Sequence, residues 1–179
     1  NFYSTFTNLN CHPSHLDFFK RTPDLNELIL NQDAIFVGGG NTKSMLAVWK
    51  EWGLDKILKK AYLNGTVMSG VSAGAICWFQ NGITDSWASN LKMMPCLNFV
   101  KGTCCPHYDE EPERKPAVKK LLLTNKIKNV YAVDGGAALH IKDEKVFKSV
   151  IFKKNKSSYL VDIKKKSINE KSFKKTILI

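Results

Sequence analysis

Arginine is nearly missing from this chain. Arg21 and Arg114 stand alone in a Lys+Arg total of 27, so lysine carries almost all of a net charge of +11. The planar guanidinium fork is the group best suited to phosphates and base edges, and no DNA- or RNA-binding motif accompanies the lysines. Lys119-Lys120, Lys153-Lys154, Lys164-Lys165-Lys166 and Lys174-Lys175 therefore read as a solvated basic surface, with no nucleic acid as partner. Long apolar runs are missing too. None approaches the ~20 residues of a spanning helix and no secretory signal pattern is visible, so no membrane association is expected. The five cysteines form no C-x-x-C pair. An odd count without a secretory signal fits free thiols in a reducing compartment, and the cytoplasm is the expected location. No histidine–cysteine cluster has metal-ligand spacing, so neither metal nor cofactor is expected. No repeat or low-complexity linker divides residues 1–179, which read as a single domain long enough for a sizeable core.

The most informative segment is Val67-Met68-Ser69-Gly70-Val71-Ser72-Ala73-Gly74-Ala75-Ile76-Cys77-Trp78. A short apolar stretch breaks at Gly70-x-Ser72-x-Gly74 and resumes as an expected helix. That is the layout of a nucleophile elbow, a sharp strand-to-helix turn that lifts a serine hydroxyl above a sheet edge. Glycine flanks the serine because a Cβ at either position crowds so tight a turn. The following helix would aim its N-terminal N–H groups and positive dipole end at the spot where an oxyanion forms. An ordinary βα turn shares the five-residue pattern, so the surroundings must carry the distinction.

Upstream, Asp33-Ala34-Ile35-Phe36-Val37 reads as a buried strand ending in Gly38-Gly39-Gly40-Asn41-Thr42. Met45, Leu46, Trp49 and Trp52 then recur at helical spacing, with Gly53 as a stop. Three glycines between strand and helix leave backbone N–H groups bare near a reacting carbonyl. A phosphate cradle is the rival reading, but the Gly-Lys-Ser/Thr ending of a P-loop and the G-x-G-x-x-G of a dinucleotide site are both absent.

Together these two segments resemble the peptidase E family of aspartyl dipeptidases and its relative cyanophycinase, over about Asp33 to His107. The resemblance implies a serine peptidase that hydrolyses short peptides through an acyl-enzyme, without a cofactor. It also implies a doubly wound, mostly parallel α/β sheet in a three-layer α/β/α sandwich akin to class I glutamine amidotransferases. Those enzymes carry cysteine at the elbow, where this chain has Ser72. The resemblance further implies an oxyanion hole built from the backbone N–H groups of Gly40 and Ala73. Compared with that family, about fifty residues are absent at the start, enough for a strand, a helix and another strand. The chain is expected to be either a fragment or a shortened member.

The base must come from four histidines. His12 and His15 precede an expected strand at Leu16-Asp17-Phe18-Phe19, and His140 lies in the apolar alternation Ala138-Leu139-His140-Ile141. His107 follows an expected strand and opens the polar loop Tyr108-Asp109-Glu110-Glu111-Pro112-Glu113-Arg114. The C-terminal end of a strand is where open α/β sheets place catalytic groups, and the family's base occupies the corresponding place. The family also has an acidic residue in a loop soon after the serine, which Asp85 supplies; Asp134, ending the strand Asn129–Val133, is its competitor. Asn41, beside the glycine loop, is a candidate for the substrate's polar end. The family's preference for an N-terminal aspartate rests in part on an arginine after the histidine, and Arg114 is the candidate here. The loop from His107 to Arg114 is shorter than in the aspartyl dipeptidases. A basic pocket around Arg114 and Lys115 still keeps a dipeptidase for acidic N-terminal residues in view.

The remaining elements are helices near 24–31, 42–52, 54–63 and 115–125, a helix and then a variable loop after Ser72, and three tail strands. Ala137–Lys142, Val146–Phe152 and Ser158–Ile163 alternate and carry β-branched residues, as antiparallel edge strands do. The expected partner is a small peptide, with a homodimer left open. A catalytically silent binding or regulatory relative, and an esterase on the same elbow, are the rival functions.

Overall fold

The computed structural model describes residues 2–87, 90–165 and 167–178. A five-residue helix, Phe2–Phe6 (α1), is followed by a stretch without regular structure. The strand expected at Leu16–Phe19 does not form. Asp17 instead accepts the N–H of Phe19 at 2.8 Å in a local bend, and Phe19 is 93% exposed. Short polar side chains compete with a ladder in this way.

Three helices and two strands build the first half. Leu25–Leu30 (α2) starts where Asp24 accepts the N–H of Glu27 at 3.0 Å, an N-cap that satisfies one of the orphan donors. Ala34–Val37 (β1) leads through the glycine loop to Thr42–Glu51 (α3). Gly53, at φ 67°, makes the left-handed joint to Leu54–Leu63 (α4), which returns the chain to Val67–Gly70 (β2). β1 and β2 pair in parallel, Ala34 against Val67 and Val37 against Gly70. One face of this pair, with Ile35, Val37 and Met68, packs on Leu25, Ile29, Trp49, Leu54 and Leu58 of the three helices. The other face is open: Phe36, Val67 and Val71 are 45%, 62% and 49% exposed.

The second half is a mixed sheet. Ala73–Ile76 (α5) is a single turn, and the chain then enters Phe79–Thr84 (β3) and Lys92–Pro95 (β4) where a loop was expected. Gly82 allows this, because a Cβ there would lie 2.7 Å from Ile76 Cδ1, so β3 lies directly against α5. Val100–Cys105 (β5), Arg114–Leu123 (α6), Asn129–Val133 (β6), Ala137–Lys142 (β7), Lys145–Ile151 (β8), Ser158–Lys164 (β9), Ser167–Ser172 (β10) and Lys175–Ile177 (β11) complete the chain. The six-stranded sheet runs β10-β9-β6-β5-β3-β4, with β3, β5 and β6 parallel and β4, β9 and β10 antiparallel at its edges. β7 and β8 form a hairpin turning at Asp143-Glu144, both at positive φ, and β11 adds to β8 in parallel.

Alternate residues on the central strands face opposite layers, as the period of two requires. Cys105, Val130 and Ala132 pack with Val118 and Leu122 of α6. Cys104, Tyr131 and Val133 face the other way, toward Ile76 of α5 and Leu139 and Ile141 of β7. The α/β class and the antiparallel tail match the sequence reading. The strands divide into three sheets: β1–β2, the six-stranded sheet and β7–β8–β11.

Candidate active site

Ser72 sits at the apex of the β2–α5 turn with φ 55° and ψ −117°. Such a conformation is costly for a residue with a side chain and persists only when its surroundings fix it. Here they do. A Cβ at Gly70 would lie 2.3 Å from the Gly74 carbonyl oxygen, and one at Gly74 would lie 2.1 Å from the Val37 carbonyl oxygen. Val71 N–H donates to Val37 O at 3.1 Å, locking the turn to the end of β1. Only glycine fits on either side of the serine, so the crowding expected of an elbow is present.

The glycine loop closes over the same point. A Cβ at Gly39 would come within 3.3 Å of Ser72 Cβ and 3.9 Å of its Oγ. Gly40, at φ 147°, turns the chain into α3. Among the described residues, neither the Gly40 nor the Ala73 N–H is taken by a backbone acceptor. The four-residue α5 contributes few aligned dipoles, so local donors carry more of the burden here.

His107 leaves the end of β5 in a left-handed conformation, φ 52°. It lines a cavity of about 800 Å³ together with Ser72, Glu110, Asp134, Trp78, Phe99 and Leu139. Its Nδ1 lies 2.8 Å from Glu110 Oε2. This is the contact that sequence reasoning missed. Asp85 is elsewhere: its carboxylate is 71% exposed, 3.9 Å from the Arg114 guanidinium. The loop carrying Asp85 is tied to the start of α3, where Asn41 Nδ2 donates to Ser86 O at 3.0 Å and Lys43 N–H to Ser86 Oγ at 3.2 Å. Asp134 is buried and accepts the Ser157 N–H at 3.0 Å and the Tyr159 hydroxyl at 3.3 Å. Burial pushes its carboxyl above the ordinary value.

Two candidates for substrate contact are engaged in holding the fold. Asn41 caps α3 through its side-chain oxygen, which accepts the Ser44 N–H at 3.0 Å, while its amide holds Ser86. Arg114 is 2% exposed and does not line the cavity. It donates to Ile83 O at 2.8 Å and to Glu111 at 2.7 Å, clamping the end of β3 to the start of α6. Arg114→Lys is expected to lower stability by about 1–3 kcal/mol, since one ammonium cannot satisfy both acceptors. Thermal melting checks this; a raised KM with unchanged melting would return Arg114 to the substrate.

His140 and Cys104 also line the cavity, whereas His12, His15, Cys11, Cys77, Cys96 and Cys105 do not. His15 Nδ1 pairs with the Tyr3 hydroxyl at 2.8 Å, and His140 lies edge-on to Phe147. Burial pushes the Cys105 thiol up to about 12 and Cys96 to about 11, which keeps both protonated and weakly nucleophilic. Among the described residues no group of three or more His, Cys, Asp or Glu side chains could hold a metal ion. Nor is any described helix long and apolar enough to cross a membrane.

Residues 1–149 match the model of Peptidase family S51. Over 170 residues the chain is 45% identical to the uncharacterised peptidase YgaJ of Bacillus subtilis (strain 168), an alignment covering 94% of this chain and 74% of that protein. It is 30% identical over 120 residues to the uncharacterised peptidase Lin0382 of Listeria innocua, covering 64% of this chain and 57% of the relative. It is also 30% identical over 128 residues to Peptidase E of Haemophilus influenzae, covering 65% and 58%. The chain thus spans less than two thirds of the latter two proteins.

Proposed function

The chain belongs to peptidase family S51, and we propose that its serine peptidase chemistry runs on Ser72 with His107 as general base. One observation carries this reading: Ser72 is held at a left-handed apex under the glycine loop and shares its cavity with His107. Ser72 Oγ attacks a peptide carbonyl while the neutral imidazole of His107 takes its proton. The N–H groups of Gly40 and Ala73 stabilise the tetrahedral oxyanion. His107 then protonates the leaving amine, and water hydrolyses the acyl-enzyme by the same steps reversed. A fluorophosphonate probe tests the assignment. Covalent labelling of Ser72 in the folded protein supports it, and a folded protein that stays unlabelled sinks it in favour of a silent binding relative.

The substrate class follows from the cavity walls. Trp78, Phe79, Phe99, Leu139 and Ile141 give them an apolar character; Glu110, Asp134, Asp143 and Glu144 give them negative charge, and no Lys or Arg lines the cavity among the described residues. An aspartate side chain would meet like charge there, with Arg114 buried elsewhere. We therefore read the substrate as a short peptide with an apolar or basic residue before the scissile bond. Leu-X dipeptides are expected to show higher kcat/KM than Asp-X dipeptides, with simple esters included to separate peptidase from esterase. A clear Asp-X preference would overturn this reading and leave the serine mechanism in place.

The architecture is read in the same spirit, as part of a doubly wound three-layer α/β/α sandwich akin to class I glutamine amidotransferases. The open face bearing Phe36, Val67 and Val71 supports this, since helix-linked parallel strands are covered on both faces in that class. We read residues 1–179 as belonging to one domain of that architecture.

A further inference from the structure

We propose that Glu110 is the positioning residue for His107, and that Gly135 is required because the Glu110 carboxylate occupies the space its side chain would fill. This rests on the reading of His107 as the base.

The segment from His107 to Glu111 is a tight turn fixed at successive residues. Glu110 and Glu111 N–H groups both donate to His107 O, at 3.1 and 3.2 Å. Tyr108 N–H donates to Val133 O at 3.0 Å, and its hydroxyl to Glu170 at 2.5 Å. Asp109 accepts the Gly135 N–H at 2.8 Å and also pairs with Lys156. Burial pushes the Asp109 carboxyl up, but the Lys156 ammonium and the Gly135 N–H outweigh it and hold the group below the ordinary value. The turn therefore folds Glu110 back under the imidazole, and its Oε2 reaches Nδ1 at 2.8 Å. A carboxylate there holds the tautomer that leaves Nε2 free to accept a proton, and it stabilises the imidazolium that follows.

Gly135 completes the arrangement from the opposite side. A Cβ on it would lie 1.9 Å from Glu110 Oε1 and 2.0 Å from Cδ, an overlap that a side chain as flexible as glutamate relieves by moving away. Gly135→Ala thus removes no titratable group and displaces the Glu110 carboxylate from the room the contact needs. The two other carboxylates considered for this role are committed elsewhere, Asp85 beside Arg114 and Asp134 on Ser157 and Tyr159.

The test compares rates of fluorophosphonate labelling at Ser72, together with the imidazole Nδ1–H resonance in proton NMR. Glu110→Gln is expected to slow labelling by about 10³–10⁴-fold, the scale seen when a triad acid becomes an amide. Gly135→Ala should slow labelling as well, with melting near wild type. Both variants should lose the far-downfield Nδ1–H signal of the parent, and Glu110→Asp should recover part of the rate. A merely structural Glu110 would lower melting without removing that signal selectively. Wild-type labelling in Glu110→Gln, or a larger loss in Asp85→Asn than in Glu110→Gln, would overturn the proposal while leaving Ser72 and His107 in place. If the folded parent is not labelled at all, the proposal falls with the serine mechanism beneath it.

Discussion

Ser72→Ala is expected to abolish peptide hydrolysis, with a loss in turnover on the order of a millionfold, and to leave the melting temperature close to wild type. The two halves of this expectation come from different atoms. The strain at φ 55° belongs to the backbone and Cβ, which alanine keeps, and it is enforced by Gly70, Gly74 and Val37 rather than by the hydroxyl. Alanine also keeps the Ser72 carbonyl that accepts the Ala75 and Ile76 N–H groups, so removal of the hydroxyl is expected to cost little stability. What goes is the only group that forms the covalent bond. Residual rate from the Gly40 and Ala73 donors and from binding stays far below the parent, since these cannot supply a nucleophile. Hydrolysis of dipeptides and fluorophosphonate labelling check the result. Retention of more than a few per cent of activity in a folded Ser72→Ala protein would rule out the serine mechanism.

The parts of this molecule legible in the sequence are those whose signals are local. β1, the glycine loop and α3 follow one another with a buried run, three glycines and helical spacing, and β2 with its elbow repeats the logic. α4 and the strands from β6 to β9 were read on the same terms. β3 escaped because Ala73–Phe79 is one continuous apolar run, and such a run does not distinguish helix from strand. The strand expected at Leu16–Phe19 failed because the Asp17 carboxylate takes the Phe19 N–H that a ladder would need. Arg114 was a candidate for substrate because the resemblance implies an arginine after the histidine, and such a resemblance does not say which way the side chain turns. That Ile83 O and Glu111 converge to satisfy it is a tertiary fact, separated from it by 31 residues in the case of Ile83. Glu110 was hidden within Asp109-Glu110-Glu111, which reads as a solvated acidic loop. No spacing rule predicts that His107 takes a left-handed conformation and thereby turns the third residue after it back onto its own ring.

Gly74→Ala is expected to cost as much as an overpacked core substitution, about 3 kcal/mol or more, and to lower the melting temperature by on the order of 6–12 °C. The added Cβ would meet Val37 O at 2.1 Å, Val37 C at 2.5 Å and Gly38 O at 2.7 Å. All three are backbone atoms, so no side-chain rotation relieves the overlap; β1 and the elbow must separate. That movement breaks the register in which Val37 faces Gly70 and the Val71 N–H reaches Val37 O. It also carries the Gly38–Gly40 loop away from Ser72, so the folded fraction should lose catalytic rate along with stability. Gly38→Ala is the matched comparison: a Cβ there meets nothing within 4 Å, and melting near wild type is expected. Melting curves for the two variants decide the matter, since a glycine chosen only for flexibility would make both substitutions similar. If Gly74→Ala melts with the parent while Gly38→Ala does not, the close approach of β1 to the elbow is not what holds Ser72 at its apex.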